Sequence, residues 1–122
     1  MYELSIRQDF DAAHYLRGYA GKCENLHGHR FEVVVTIKAE KLDERGISLD
    51  FTYLKKVVNE IMQRLDHTNL NEVPPFDTIN PSSENIARTI YQEILTKLTD
   101  ARVNLSSVTV YESPDSWVIY TP

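Results

Sequence analysis

The sequence is poor in cysteine, in basic clusters and in long apolar runs. A single cysteine, Cys23, stands among 122 residues. It cannot close an internal disulfide, which fits a reducing compartment and sets the expectation of a cytoplasmic protein. Lysine and arginine total 13 against 18 aspartates and glutamates, for a net charge of −5. With no basic cluster to attract phosphates, nucleic acid is not an expected partner. No apolar run has the length of a bilayer span. The opening MYELSIRQDF lacks the basic-then-apolar pattern of a secretory signal, so no membrane partner is expected either. Repeats, low-complexity tracts and linkers are also missing. The 42% hydrophobic and 25% charged composition then suits one soluble domain, residues 1–122, around one core.

Hydrophobic periodicity lays out the elements. Tyr2, Leu4, Ile6, Phe10 and Ala12 share one parity and Glu3, Ser5, Arg7, Asp9 and Asp11 the other, with Gln8 the polar exception on the apolar side. Alternation of this kind predicts a half-buried strand. Phe31, Val33, Val35 and Ile37 predict a second one, broken only by Val34. After the turn-like DERGISLDF, Leu54, Val57, Val58, Ile61, Met62 and Leu65 form the stripe of an amphipathic helix from about 51 to 65, with Asp50 as its N-cap. Pro74, Pro75 and Pro81 keep the stretch DHTNLNEVPPFDTINPSS out of helix. A second helix starts near Ser82 or Ser83 and runs to about Leu98. NLSSVTVYE and WVIYTP, joined by SPDS, close the chain as two strands. The expected fold is α+β, in the order ββααββ: a four-stranded antiparallel sheet with both helices on one face. Long strands in so short a chain leave open edges, without evident edge prolines or bulges, which predicts a closed homo-oligomer.

The chemistry-bearing residues concentrate in CENLHGHRF, residues 23–31. An H-x-H pair on a strand, His27 and His29, projects both imidazoles to one side. His14, on the apolar parity of the first strand, supplies a third. Three histidines suit a zinc ion whose fourth position stays open for water or substrate. Without an ion, three inward imidazoles would be costly to desolvate. Cys23 has two readings here: a fourth ligand closing a structural site, or an acidified thiol acting as base or nucleophile. Asp66 and His67 read either as a helix-terminal pair or as a carboxylate–imidazole proton relay. Glu112 continues the parity of Val108 and Val110. Its carboxylate either reaches solvent at a strand end or accepts the two parallel N–H groups of a 2-amino-4-oxo-pyrimidine edge.

FDAAHYL, CENLHGH, LDHTNLN, NPSSEN and VTVYES, in this order and across the whole chain, resemble the 6-pyruvoyltetrahydropterin synthase and 6-carboxytetrahydropterin synthase family. The short gap between Cys23 and His27 is more similar to its bacterial 6-carboxytetrahydropterin synthase branch, which feeds queuosine and other deazapurines. The resemblance implies a tunnelling fold, in which three sheets close a barrel and two trimers stack into a hexamer. It implies zinc on His14, His27 and His29, Cys23 as catalytic base, and Asp66 and His67 as its proton-relay partners. Glu112 matches the carboxylate that anchors the pterin, and Ser82 and Ser83 match a segment reaching the pterin site.

The activity so implied is a lyase reaction. 7,8-Dihydroneopterin triphosphate becomes 6-carboxy-5,6,7,8-tetrahydropterin, with loss of acetaldehyde and triphosphate and no redox cofactor. Glu24, next to Cys23, also resembles the glutamate of a branch making 6-hydroxymethyl-7,8-dihydropterin for folate, and so raises a folate-type or dual enzyme as the alternative. A zinc-stabilised oligomer without catalysis is the reading from a different class. Lys22 and Arg17 are the nearby cations for a triphosphate, or ordinary surface residues.

Overall fold

A computed structural model describes residues 1–21 and 24–122. Strand β1 spans Tyr2–His14 and β2 spans His27–Ala39; they pair antiparallel along their whole length, from Tyr2↔Ala39 to His14↔His27. Helix α1 covers Phe51–Leu65. A two-residue strand β3, Thr68–Asn69, follows it. Helix α2 covers Ser83–Lys97, and strands β4, Val103–Ser113, and β5, Ser116–Tyr120, end the chain. The sheet order is β3-β1-β2-β4-β5.

The alternation read from the sequence is the alternation of burial. Ile6, Phe10, Ala12 and His14 of β1 and Phe31, Val33, Val35 and Ile37 of β2 are buried. They face the stripes Leu54–Val58–Ile61–Met62–Leu65 of α1 and Ile86–Ile90–Ile94 of α2 within one apolar core. The other face of the sheet carries exposed charge, such as the Arg7–Glu32 and Arg30–Asp11 pairs. Asp50 caps α1 by accepting from the Thr52 N–H at 2.8 Å, and Ser82 caps α2 by accepting from the Asn85 N–H at 3.1 Å.

Two features correct the sequence reading. The sheet has five strands, not four, and the order is ββαβαββ. The added β3 runs parallel to β1 through Ala12↔Thr68 and Ala13↔Asn69. Two residues are too short to show a period, so nothing in the sequence marks them as a strand. Second, β4 holds two bulges. Ser106 is an extra residue between the pairs Ser107↔Thr36 and Leu105↔Ile37. It moves burial from the odd parity of Val103 and Leu105 to the even parity of Val108 and Val110. Glu112 is the extra residue between Tyr111↔Trp117 and Ser113↔Ser116. A bulge re-aims the side chain it carries, and this one carries a carboxylate. No helix among the described residues is long and apolar enough to cross a membrane.

Candidate active site

Strand register builds the centre. His14 lies directly opposite His27, and His29 lies opposite Ala12 two residues along, on the same side of the sheet. The three imidazoles meet edge to face, with centroids 4.6 Å (His14–His27), 4.9 Å (His27–His29) and 5.3 Å (His14–His29) apart. Their floor is aromatic: Phe31 sits 5.3 Å from the His14 ring and stacks on Phe10 at 4.9 Å.

Backbone carbonyls orient two of the rings. His14 Nδ1 lies 2.7 Å from the Pro81 carbonyl oxygen, and His27 Nδ1 lies 2.7 Å from that of Asn25. An Nδ1–H donating to each carbonyl leaves the lone pair on Nε2, the second-sphere arrangement of a metal-bound histidine. Burial pushes the pKa of His14 below its ordinary value, although the Pro81 carbonyl pulls the other way. The neutral imidazole it favours is the ligating form.

The Nε2 atoms of His14 and His29 are buried and have no hydrogen-bond partner among the described residues. Glu112 Oε1 approaches them, at 3.5 Å from His14 Nε2 and 3.0 Å from His29 Nε2. The second distance is short enough for a hydrogen bond, but its direction is not that of an N–H donor, so the contact leaves both nitrogens unsatisfied. Leaving a buried nitrogen unpaired costs about 1–3 kcal/mol. His14, His27, His29 and Glu112 each offer a ligand atom, all within 4.8 Å of one another. Orphaned nitrogens gathered this closely fit a divalent cation, and zinc suits nitrogen ligands of this kind.

The second constellation is Asp66–His67, at the end of α1. His67 Nδ1 lies 2.8 Å from Asp66 Oδ2. The backbone of Asp11 fixes the pair: its N–H donates to Asp66 Oδ1 at 2.8 Å, and its carbonyl accepts from the His67 N–H at 2.6 Å. The Asp11 N–H, then the His67 ring, hold the Asp66 carboxyl below the usual carboxylate range. His67 takes a left-handed backbone, φ 56°, which is uncommon for a non-glycine residue and turns its ring out of the helix line. An open concavity of about 420 Å³ is lined by His67 and Thr68 together with His29, Arg30 and the facing residues of β1.

Ser83 is buried and its hydroxyl lies 3.3 Å from Glu112 Oε2. Ser82 spends its hydroxyl on capping α2. Glu24 is exposed. Cys23 and Lys22, singled out in the sequence, lie outside the described residues.

Sequence reasoning missed how the loops are held. The side-chain amide of Asn71 accepts from the Tyr15 N–H at 2.9 Å and donates to the Tyr15 carbonyl at 3.0 Å. Asn80 does the same for Arg17, at 2.9 and 3.0 Å. Each amide imitates the peptide group of a missing neighbouring strand. Arg17 is a clasp as well: its guanidinium donates to the carbonyls of Asn71, Phe76 and Ile79. This lacing joins the end of β1, which carries His14, to the segment that carries Pro81 and Ser83. The asparagines of LDHTNLN and INP were visible, but their partners lie more than fifty residues away.

Comparison with known proteins agrees with this architecture. A family model described as 6-pyruvoyl tetrahydropterin synthase matches residues 3–122. The chain belongs to the 6-pyruvoyl tetrahydropterin synthase family. It is 33% identical to the 6-carboxy-5,6,7,8-tetrahydropterin synthase of Bacillus subtilis, over 99% of this chain and 86% of that protein. It is 38% identical to the dihydroneopterin monophosphate aldolase of Pyrococcus furiosus, over 89% and 88%. The solved 6-pyruvoyl tetrahydropterin synthase of Caenorhabditis elegans superposes with a TM-score of 0.90 at 27% identity, covering 99% of this chain and 95% of that one. Family membership makes this a tetrahydropterin synthase-like enzyme of pterin metabolism.

Proposed function

We propose that the protein is a zinc-dependent lyase that converts 7,8-dihydroneopterin triphosphate, with water, into 6-carboxy-5,6,7,8-tetrahydropterin, acetaldehyde and triphosphate, in the cytoplasmic synthesis of queuosine and related deazapurines. The observation that carries this reading is the pair of orphaned Nε2 atoms on His14 and His29 beside a carbonyl-oriented His27. These three residues would hold the ion. When bound, zinc supplies Lewis acidity to the substrate's side-chain hydroxyl oxygens and the C–H groups beside them.

The chain's own residues do the rest. Cys23, as thiolate, takes a proton from the substrate side chain. His67, oriented by Asp66, returns or relays a proton. Glu112 accepts the paired N–H groups of the pterin edge, with Ser83 placing its second oxygen. Ser82 fixes the start of α2 beneath that edge. The ring is reduced at the expense of the side chain, so the chemistry balances without an external reductant.

The proposed assembly is a dimer of trimers, closed through sheet edges. The outer edge of β1 is unpaired from Tyr2 to Phe10 among the described residues, since β3 covers only Ala12 and Ala13 and the Asp11 backbone is taken by Asp66 and His67. At the opposite edge, β5 exposes Trp117 and Ile119. Two open edges on one sheet favour pairing between copies.

A second reading, a folate-type or dual enzyme releasing a 6-hydroxymethyl pterin, has two points in its favour: Glu24 beside Cys23, and the 38% identity to the Pyrococcus aldolase. Incubation of zinc-loaded protein with 7,8-dihydroneopterin triphosphate separates the two. Acetaldehyde and the 6-carboxy product are expected. A 6-hydroxymethyl product would replace this reading with the second, and no turnover of any dihydroneopterin phosphate would leave a structural oligomer.

A further inference from the structure

We infer that Glu112 is itself a metal ligand in the substrate-free protein, capping the three-histidine centre until a pterin draws the carboxylate away. This rests on the metal-site reading above and adds a resting state to it.

The geometry is the first support. A tetrahedral ion with bonds of about 2.0–2.1 Å holds its ligand atoms about 3.4 Å apart. Glu112 Oε1 lies 3.0 Å from His29 Nε2 and 3.5 Å from His14 Nε2, spacings that bracket that edge. An ion pair with a protonated imidazole would place an N–H on the line to the oxygen, yet neither nitrogen makes a hydrogen bond to it. Three imidazoles and a carboxylate whose ligand atoms lie within 4.8 Å of one another, two of the nitrogens unpartnered, describe ligands around a cation.

The fold is the second support. Glu112 is the extra residue of a bulge, and bulges aim side chains at sites. Its other oxygen is 3.3 Å from the Ser83 hydroxyl, which fixes the carboxylate's rotation and leaves Oε1 for the centre. Glu112 stays partly exposed, so it can leave without dragging a charge through the core.

One carboxylate cannot both cap the ion and take the two N–H groups of a pterin edge. Arrival of the ring would therefore withdraw Oε1 and open the fourth position as the substrate's hydroxyls come within reach. The device couples recognition of the ring to exposure of the Lewis acid. It also keeps stray anions off the centre in between.

The experiment titrates zinc-free wild type, Glu112→Gln and His27→Ala with zinc against a chromogenic chelator. The visible spectrum of each cobalt-loaded form is recorded in parallel. Melts of the metal-free proteins confirm folding, and the rise in melting temperature on adding zinc gives a second readout. Glu112→Gln should bind zinc at least about 10–100-fold more weakly than wild type, the loss typical even of residues one sphere further out. Its cobalt bands should change in position and intensity, and His27→Ala should not bind measurably. Wild-type zinc affinity and an unchanged cobalt spectrum in Glu112→Gln, with binding lost in His27→Ala, would overturn the capping role and leave the centre intact. Full binding in His27→Ala would overturn the three-histidine centre itself. If Glu112→Gln weakens zinc but keeps the cobalt spectrum, the carboxylate acts through charge alone and the inference also fails.

Discussion

The two histidine clusters differ in whether their polar atoms are satisfied. His14, His27 and His29 sit on the helix-covered side of the sheet with two Nε2 atoms unpaired. The carboxylates around His67 are spoken for. Asp66 accepts from the Asp11 N–H and the His67 ring, and Asp11 accepts from Arg30 at 3.1 and 3.3 Å. Both clusters bring at least three candidate ligand groups within 4.8 Å, so proximity alone does not separate them. Lone-pair accounting does. The first cluster has lone-pair capacity left that a cation would use, whereas the carboxylates of the second are already paired, an arrangement suited to holding and passing a proton.

The largest expected effect follows from breaking the first cluster. His27→Ala should lose zinc and activity together, read as metal content after dialysis and turnover of the pterin substrate. Zinc at full occupancy in that variant would remove His27 from the ligand set. Next in size, Cys23→Ala should abolish the 6-carboxy product while keeping its zinc; loss of metal there would make the thiol a ligand instead. Breaking the second cluster should cost rate and not metal. His67→Ala is expected to retain zinc and to slow turnover by about 10²–10⁴-fold, the range for a lost general acid–base group. A variant that loses zinc would erase the distinction between the clusters.

Smaller effects test the lacing that holds the clusters in place. Asn71→Ala leaves the Tyr15 N–H and carbonyl without their amide and should destabilise the metal-free protein by about 1–3 kcal/mol in denaturant melts. The smallest effect is on pH. The folded pKa of His14 is lowered, so the unfolded chain takes up a proton that the native chain refuses. Stability attributable to His14 is then present above its unfolded pKa of about 6.5 and is lost as pH falls toward the folded value. His14→Asn should flatten that part of the metal-free stability profile.

Much of this was legible in the sequence because it is periodic. The parity of Ile6, Phe10 and His14, or of Phe31, Val33 and Val35, carries over directly into burial, with His27 and His29 half-buried on the same side, and the stripes of α1 and α2 hold to within a residue at their ends. Asp50 was readable as a cap, and Ser82 or Ser83 as a helix start, because a helix N-terminus is marked locally. What escaped reading depends on distant partners. Strand β3 exists because β1 offers it an edge. The bulge at Glu112 is defined by the register of β5, and Asn71, Asn80 and Arg17 act on backbone groups 54 to 63 residues away. Gln8, the exception on the apolar parity, donates to the Lys55 carbonyl at 3.1 Å and so ties β1 to α1.

The most direct test of the central claim is anomalous diffraction at the zinc edge from crystals grown with zinc. One peak per chain, about 2.0–2.1 Å from the Nε2 atoms of His14, His27 and His29, is the predicted result. A peak at Asp66 and His67 instead, or no peak between the three imidazoles, would contradict it.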